Sequence, residues 1–377
     1  MDFSLSEEQK MLKDSARHFL EKECPAATVR EMAKDKRGYS PQLWQKMAEL
    51  GWLGLSLPTK YGGAGGSFLD SVILLEEMGR ALLPGPFWAT VVLGGLSILE
   101  AGSNEQKERF LPKLANGQTL LTLAITEPNA RNEADSITAE AEVRDGDFII
   151  NGVKLLVPYG HVADYIICVA RTRKEGKLSE GVSNFIVDAK SPGITIISVK
   201  TIGQDKQCEV LFQNTPVSRQ NILGKLNGGW AHTDNVLRKA AVVLCAHMNG
   251  GTEKVMEMTL GHAKNRVQFG QSIASFQAIQ HRLADMLINL EASKVLTYDA
   301  AWKISAGLPY RMEASIAKAW ASEYYRQATW LATEIQGGVA YIEDHDMPLY
   351  YRWAKAAEVN LGDADFHREM IARELLD

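Results

Sequence analysis

LTLAIT, residues 121–126, opens a run of short apolar segments unlike anything before or after it: DFIINGVKLLVP (147–158), ADYIICVAR (163–171), SNFIVDAK (183–190), GITIISVK (193–200) and CEVLFQN (208–214). Each is rich in β-branched residues and bounded by Gly, Asp, Asn or Pro, the pattern of strands joined by turns. Their extent, roughly 118 to 224, suits a small barrel or sandwich. Upstream the period is helical. Ser6 precedes Glu7, Glu8 and Gln9, a first turn that suits the helix dipole, and Met11, Leu12, Ala16, Phe19 and Leu20 follow at helical spacing. Further helices are predicted over 40–50, 68–83, 90–99 and 104–114, with a glycine-rich turn region at 57–66. Downstream of Gly228, the segments 230–264, 273–305, 311–336 and 360–374 are long and rich in Ala, Leu, Met, Glu and Lys, which predicts an antiparallel bundle. The fold class is α+β: an N-terminal all-helical domain (1–117), a central β-barrel or sandwich domain (118–226) and a C-terminal four-helix bundle (227–377).

Composition narrows the function. The 377 residues carry 41 Lys and Arg against 46 Asp and Glu, a formal net charge of -5, which offers no broad footprint for nucleic acid. No apolar run reaches ~18 residues, so no membrane span is expected. Cys24, Cys168, Cys208 and Cys245 are far apart and read as reduced thiols, and with no secretion signal at the N-terminus a cytoplasmic protein is expected. The histidines share no metal-ligand spacing, so no metal is expected. His367, followed by Arg368, reads as a solvated helix face without a chemical role. No Gly-x-Gly-x-x-Gly follows a strand in the dinucleotide-binding arrangement.

Three polar intervals remain. Arg266-Val-Gln-Phe-Gly270, followed by Phe276-Gln277-Ala-Ile-Gln280, lies between two long helices. Arg266 suits a phosphate and Phe269 a planar ring, or Arg266 caps a helix and Phe269 is core. Thr126-Glu127-Pro128 opens the β domain, either as a plain turn or as a ligand edge. Glu334-Ile-Gln336-Gly337-Gly338 ends a helix, with paired glycines that stop it or expose amides to a ligand.

Taken together, LAITEPNARNEAD (123–135), INGVKLLVPYGHVAD (150–164), NILGKLNGGW (221–230), NRVQFGQSIASFQAIQHRLADM (265–286) and EIQGGVAYIEDHDMPLYYRWAKAAEVNLGDADFHREMIA (334–372) resemble the acyl-CoA dehydrogenase family over essentially the whole length. The resemblance implies FAD held at a subunit interface, oxidation of an acyl-CoA thioester to the 2,3-enoyl-CoA, and electrons passed to an electron-transfer flavoprotein. It places Leu123, Ile125 and Thr126 at the flavin ring, with Leu155 to Val157 where the family has Trp-Ile-Thr or Trp-Ile-Ser. Arg266 is similar to the ligand of a neighbouring subunit's FAD pyrophosphate, with Gln268, Phe269, Gln277 and Gln280 in the same interface segment. Ile335, Gln336, Gly337 and Gly338 resemble the loop that cradles the diphosphate and ribose, and Asp363 stands at a flavin-contacting position. Arg131 and Asn132 replace small residues at the substrate entrance, and Leu361 stands where a backbone N–H holds the thioester oxygen.

Two departures matter. Glu334 occupies a position where Gln is usual, adding negative charge near the expected phosphate. More seriously, the family's catalytic Glu is absent from both of its usual sites, which hold Leu361 and Ala240 here. Neither accepts a proton, so the catalytic residue is unassigned; Asp234, Asp363 and Asp365 are nearby carboxylates more readily explained as caps or solvated acids. The LGDADFHRE segment resembles the branch acting on steroid side-chain or ring-derived acyl-CoAs, which implies a branched, cyclic or bulky substrate. The oligomer is then a homomer with a displaced base or a heteromer with a Glu-bearing homologue. A flavin-binding relative without dehydrogenase activity is the remaining reading.

Overall fold

A computed structural model describes residues 5–131, 133–176 and 178–376. The N-terminal helices are α1 (Glu7–Glu23), α2 (Ala26–Lys34), α3 (Pro41–Glu49), α4 (Phe68–Arg80), α5 (Leu96–Ala101) and α6 (Asn104–Ala115), with a π-helical segment over Trp88–Gly95. Ser6, Ser67 and Ser103 each accept an N–H three residues on, while Gln9, Asp70 and Gln106 reach back to the cap, so α1, α4 and α6 all begin with reciprocal capping. Sequence periodicity misses α2, whose AATVREMAK is only nine residues long.

Helix α4 is buried without a break from Val72 to Arg80, charged residues included. Buried carboxylates need partners, and they have them. Glu76 accepts Lys13 Nζ at 2.6 Å, Glu77 takes the Arg17 guanidinium through two bonds of 2.8 Å, and Arg80 makes a fork to Glu257. Lys294 and Arg17 both reach Glu253. This ionic layer ties α1 and α4 to the C-terminal helices.

The strands are β1 (Leu121–Ala124), β2 (Glu140–Arg144), β3 (Asp147–Pro158), β4 (Tyr165–Arg171), β5 (Val182–Asp188), β6 (Ile194–Val199), β7 (Gln207–Val217) and β8 (Ile222–Leu223). They form one mixed sheet in the order β6-β7-β3-β2-β4-β5-β8, with β1 parallel to β4. The sheet curls until Phe148 on β3 and Phe185 on β5 lie 5.0 Å apart, closing a core that also holds Ile150, Cys168 and Phe212.

The C-terminal helices are α7 (Gly229–Asn265), α8 (Gln277–Ser305), α9 (Arg311–Gln336), α10 (Met347–Val359) and α11 (Ala364–Leu376). The four long predicted segments are helical, and α10 joins them as a fifth helix. α4 and α7 touch backbone to backbone: a Cβ on Gly79 would stand 2.0 Å from the His247 oxygen, and one on Gly250 1.8 Å from that of Glu76. Among the described residues, no helix is long and apolar enough to cross a membrane, and no cluster of His, Cys, Asp or Glu is arranged to hold a metal.

Candidate active site

A cavity opens where the three groups of elements meet, bounded by Met32 of α2, Met78 of α4, Ala89 of the π-helical segment, Pro158 of β3, His247 of α7 and Asn360 after α10. On β3, three residues before Pro158, two predicted ring-binding segments are bonded together, the Leu155 N–H donating to the Thr126 carbonyl at 2.8 Å. A buried ion pair fixes that junction. Lys154 Nζ lies 2.6 Å from Glu127 and also donates to the Ile125 carbonyl. Burial acts to raise the Glu127 pKa, but the Lys154 charge and hydrogen bonds from Thr138 and Ala139 outweigh it and hold the carboxyl below its usual range. Leu123, Ile125 and Val157 are buried, whereas Leu156 is turned outward at φ 51°. The pairing of β3 with β7 shifts register between Lys154 and Val157, so Leu155 and Leu156 form a bulge.

The loop after α10 begins at Asn360, which lines the cavity, and Leu361 lines a separate recess. Leu361 and Gly362 are both left-handed, at φ 62° and 96°, and a Cβ on Gly362 would strike the Phe366 ring at 2.3 Å. Two buried side chains hold this loop. Lys318 of α9, with no exposed surface, donates to the Gly362 carbonyl at 2.7 Å, to that of Glu358 at 3.2 Å and to the Ser322 hydroxyl. His367 Nε2 donates to the Leu361 carbonyl at 3.0 Å, which leaves the ring's Nδ1 as a buried atom without a partner among the described residues. Burial pushes the Lys318 pKa down to about 8 and the His367 pKa down to about 3. The reading of His367 as a solvated residue is therefore corrected: α9 and the loop bury it, an enclosure its charged sequence neighbours do not announce. Lys318 carries no sequence signal either, since a lysine within a helical stretch ordinarily points to water. The Leu361 N–H has no acceptor among the described residues.

The carboxylates near this loop are committed elsewhere. Asp234 accepts Arg238 at 3.0 Å and Arg311 at 2.7 Å. Asp363 is exposed and caps α11 by accepting the Phe366 N–H, and Asp365 pairs with Arg368 at the surface. Ala240 is fully buried on α7. The acid that lines the central cavity is Asp205, which accepts from Thr201 and Gln207. Arg131 is exposed, two residues before Glu133, which lines a recess together with Arg238 and Leu361. Asn132 lies outside the described residues.

The second predicted cluster sits at the far end of α7. Val267–Gln268 and Gln271–Ser272, here β9 and β10, form a hairpin whose turn residues Phe269 and Gly270 are both left-handed. Phe269 is 92 % exposed and Arg266 makes no ion pair among the described residues. Gln277 is exposed, and Gln280 donates to the Ala274 carbonyl. The neighbouring end of α9 is tied in by Gln336, whose amide donates to Thr259. Ile335 is buried, while Gly337 and Gly338 face open space, with no atom within 4 Å of where a Cβ would stand. Glu334 pairs with Arg282 at 2.6 Å, so its charge is neutralised locally. Arg266 lies 26 residues beyond Ala240, about 39 Å along the helix axis. One chain thus presents the two clusters as separate surfaces.

The donor sets suit an extended flavin dinucleotide. Apolar Ile125, Leu155 and Val157 with a polar edge at Thr126 match a flat ring, and an unpaired Arg266 beside an exposed Phe269 matches a diphosphate and an adenine. Family models match the acyl-CoA dehydrogenase N-terminal domain at residues 6–118, middle domain at 122–215 and C-terminal domain at 227–376. The acryloyl-CoA reductase (NADH) of Anaerotignum propionicum is 33 % identical over 382 residues, covering all of this chain and 96 % of that protein. Butyryl-CoA dehydrogenase from Megasphaera elsdenii superposes with a TM-score of 0.93 at 31 % identity, each chain covered completely. A chain from the structure of the electron transferring flavoprotein of Acidaminococcus fermentans has a TM-score of 0.93 at 32 % identity, again with both chains covered completely.

Proposed function

The chain belongs to the acyl-CoA dehydrogenase family, and from that premise we propose that it interconverts a branched, cyclic or otherwise bulky acyl-CoA and its 2,3-enoyl-CoA. It is an FAD-dependent oxidoreductase; the bound flavin supplies the acceptor for the hydride leaving the β-carbon. The observation that carries the reading is the Leu361 N–H, without an acceptor among the described residues and held in place by His367 and Lys318 from behind. A donor fixed in advance polarises a thioester carbonyl and makes the α-proton more acidic without reorganisation. The reach of the cavity from Pro158 and Asn360 to Met32 of α2 supports a large acyl group.

Arg266, Gln268, Phe269, Gln277 and Gln280, with Ile335 to Gly338, serve the FAD of a second chain, because they gather around the far end of α7, away from this chain's own ring site. Arg131 and Asn132 are assigned to the substrate, with Arg131 pairing with a phosphate of CoA or with a substrate carboxylate. The electron partner is an electron-transfer flavoprotein.

The base has two readings, both motivated by Ala240 and Leu361. In the first it is displaced, and Asp205 supplies the cavity carboxylate; Asp205→Asn then lowers the rate by about 10²- to 10⁴-fold. In the second, a Glu-bearing homologue supplies the base in a heteromer, and Asp205→Asn leaves the rate of the complex unchanged. The deciding measurement is purification alone and with such a homologue, a count of flavin per chain, and anaerobic bleaching by a panel of linear, branched and ring-bearing acyl-CoAs. A preparation that binds no flavin in either form overturns the function. Bleaching by short linear thioesters alone overturns the bulky substrate.

A further inference from the structure

The central cavity is walled mainly by apolar side chains, and His247 is a built exception. It stands on α7 seven residues beyond Ala240 and three beyond Leu244, on one stripe of the helix and about 10 Å further along its axis than Ala240. Its Nδ1 accepts the Trp353 indole N–H at 3.1 Å, with the rings 5.2 Å apart. Burial pushes the imidazole pKa down to about 4, so the ring is neutral near pH 7. A neutral ring that accepts at Nδ1 carries its proton on Nε2. Apart from the ring's contact with its own backbone, that N–H has no acceptor among the described residues, and the ring lines the cavity. The backbone contact at Gly79 fixes where the residue stands.

A second donor lies in the same wall. Trp88 of the π-helical segment lines the cavity, and its indole nitrogen is buried without a partner among the described residues. The charged groups of the wall are already satisfied: Asp205 by Thr201 and Gln207, and Arg352 by Glu343 at 3.1 Å. The wall also carries one unpartnered acceptor among the described residues, Gln207 Oε1, so a bound group that meets both it and the two donors is an oxygen function such as a hydroxyl, whereas a ketone or ether meets the donors alone.

We propose that this region is a hydrogen-bonding subsite in which His247 Nε2–H donates to a neutral oxygen of the acyl group, a ketone, hydroxyl or ether several bonds beyond the reacting carbons. The proposal rests on the reading that the cavity holds the acyl tail. A wholly hydrocarbon tail would bury the donor unpaired, and sites built to bond a polar group reject analogues that lack it.

The test compares decanoyl-CoA with 6-oxodecanoyl-CoA and 8-oxodecanoyl-CoA on the flavin-loaded oligomer, by calorimetric Kd and by kcat/KM. At least one oxo compound is expected to bind tenfold more tightly than decanoyl-CoA. In His247→Leu the plain and oxo chains then bind within twofold of one another, and His247→Gln, which keeps a donor, restores part of the difference. Should His247→Leu fail to fold, Trp353→Phe removes the bond that sets the tautomer, and the preference shrinks several-fold. A wild-type protein that holds all three compounds equally, or a Leu variant that keeps the preference, overturns the subsite. Failure of every acyl-CoA to bind overturns the underlying assignment of the cavity instead.

Discussion

Leu361 shows how much of a catalytic loop can persist without its carboxylate. The left-handed pair Leu361–Gly362, the His367 bond to one carbonyl and the Lys318 bond to the next fix a backbone whose chemical product is an N–H without an acceptor among the described residues. If that frame is functional, a carboxylate restored on it should find its target. We expect Leu361→Glu to raise the rate of anaerobic flavin bleaching by the isolated chain about 10²-fold, the lower end of what a positioned base contributes. A rate unchanged while flavin content is normal would mean that the substrate α-carbon does not lie over this loop. The supports have a separate prediction. Lys318→Ala removes a buried donor from two carbonyls and leaves a void between α9 and the loop, at a cost of about 3 kcal/mol in urea unfolding. Its activity should fall further than its stability, because the Leu361 amide loses its fixed aim; equal losses would make Lys318 a packing residue only.

At the scale of elements, the α4–α7 crossing and the α7 hairpin carry different duties. Gly79 and Gly250 let two long helices meet at backbone contact, and a methyl on Gly250 would overlap the Glu76 carbonyl. Gly250→Ala should therefore cost about 3 kcal/mol or more through forced separation of the helices, read as a lowered thermal midpoint with intact flavin stoichiometry in what still folds. The hairpin behaves oppositely. Arg266→Glu touches no packed surface, so its thermal midpoint without added flavin should stay within a degree or two, while flavin retained per chain on gel filtration drops severalfold. The sequence makes these elements unequally legible. Long amphipathic or apolar runs such as 68–83 and the strand segments announce themselves because burial on one face imposes a period. The Leu155–Leu156 bulge does not, because its register is set by β7, some fifty residues away. The flavin-side stretches are visible as motifs, whereas His247, His367 and Lys318 owe their importance to helices packed across them, and no local pattern records that.

For the whole molecule, buried groups with depressed pKa values combine into a pH dependence with a definite sign. His247 and His367 ionise near pH 4 and 3 in the folded protein, burial being the main cause in both, against 6.5 in a free chain. Between these limits the unfolded chain binds protons that the folded one refuses, so stability is intact above about pH 6.5 and falls on acidification. Each group contributes about 1.4 kcal/mol per pH unit, giving close to twice that from pH 6 to 4. Glu253 then adds the same sign. Burial opposes its ionisation, yet Lys294, Lys13 and Arg17 outweigh that and hold it near 2 against 4.5, so the ionic layer between α1, α4, α7 and α8 fails last. Urea midpoints at fixed protein and FAD concentration should therefore decline from pH 6.5 downward and steepen below 4.5. His367→Asn should remove about one proton of uptake between pH 6 and 4, halving the slope there while leaving the Glu253 limb below it. A slope unchanged in that variant would mean that His367 is solvated after all, and the support it gives to Leu361 would go with it.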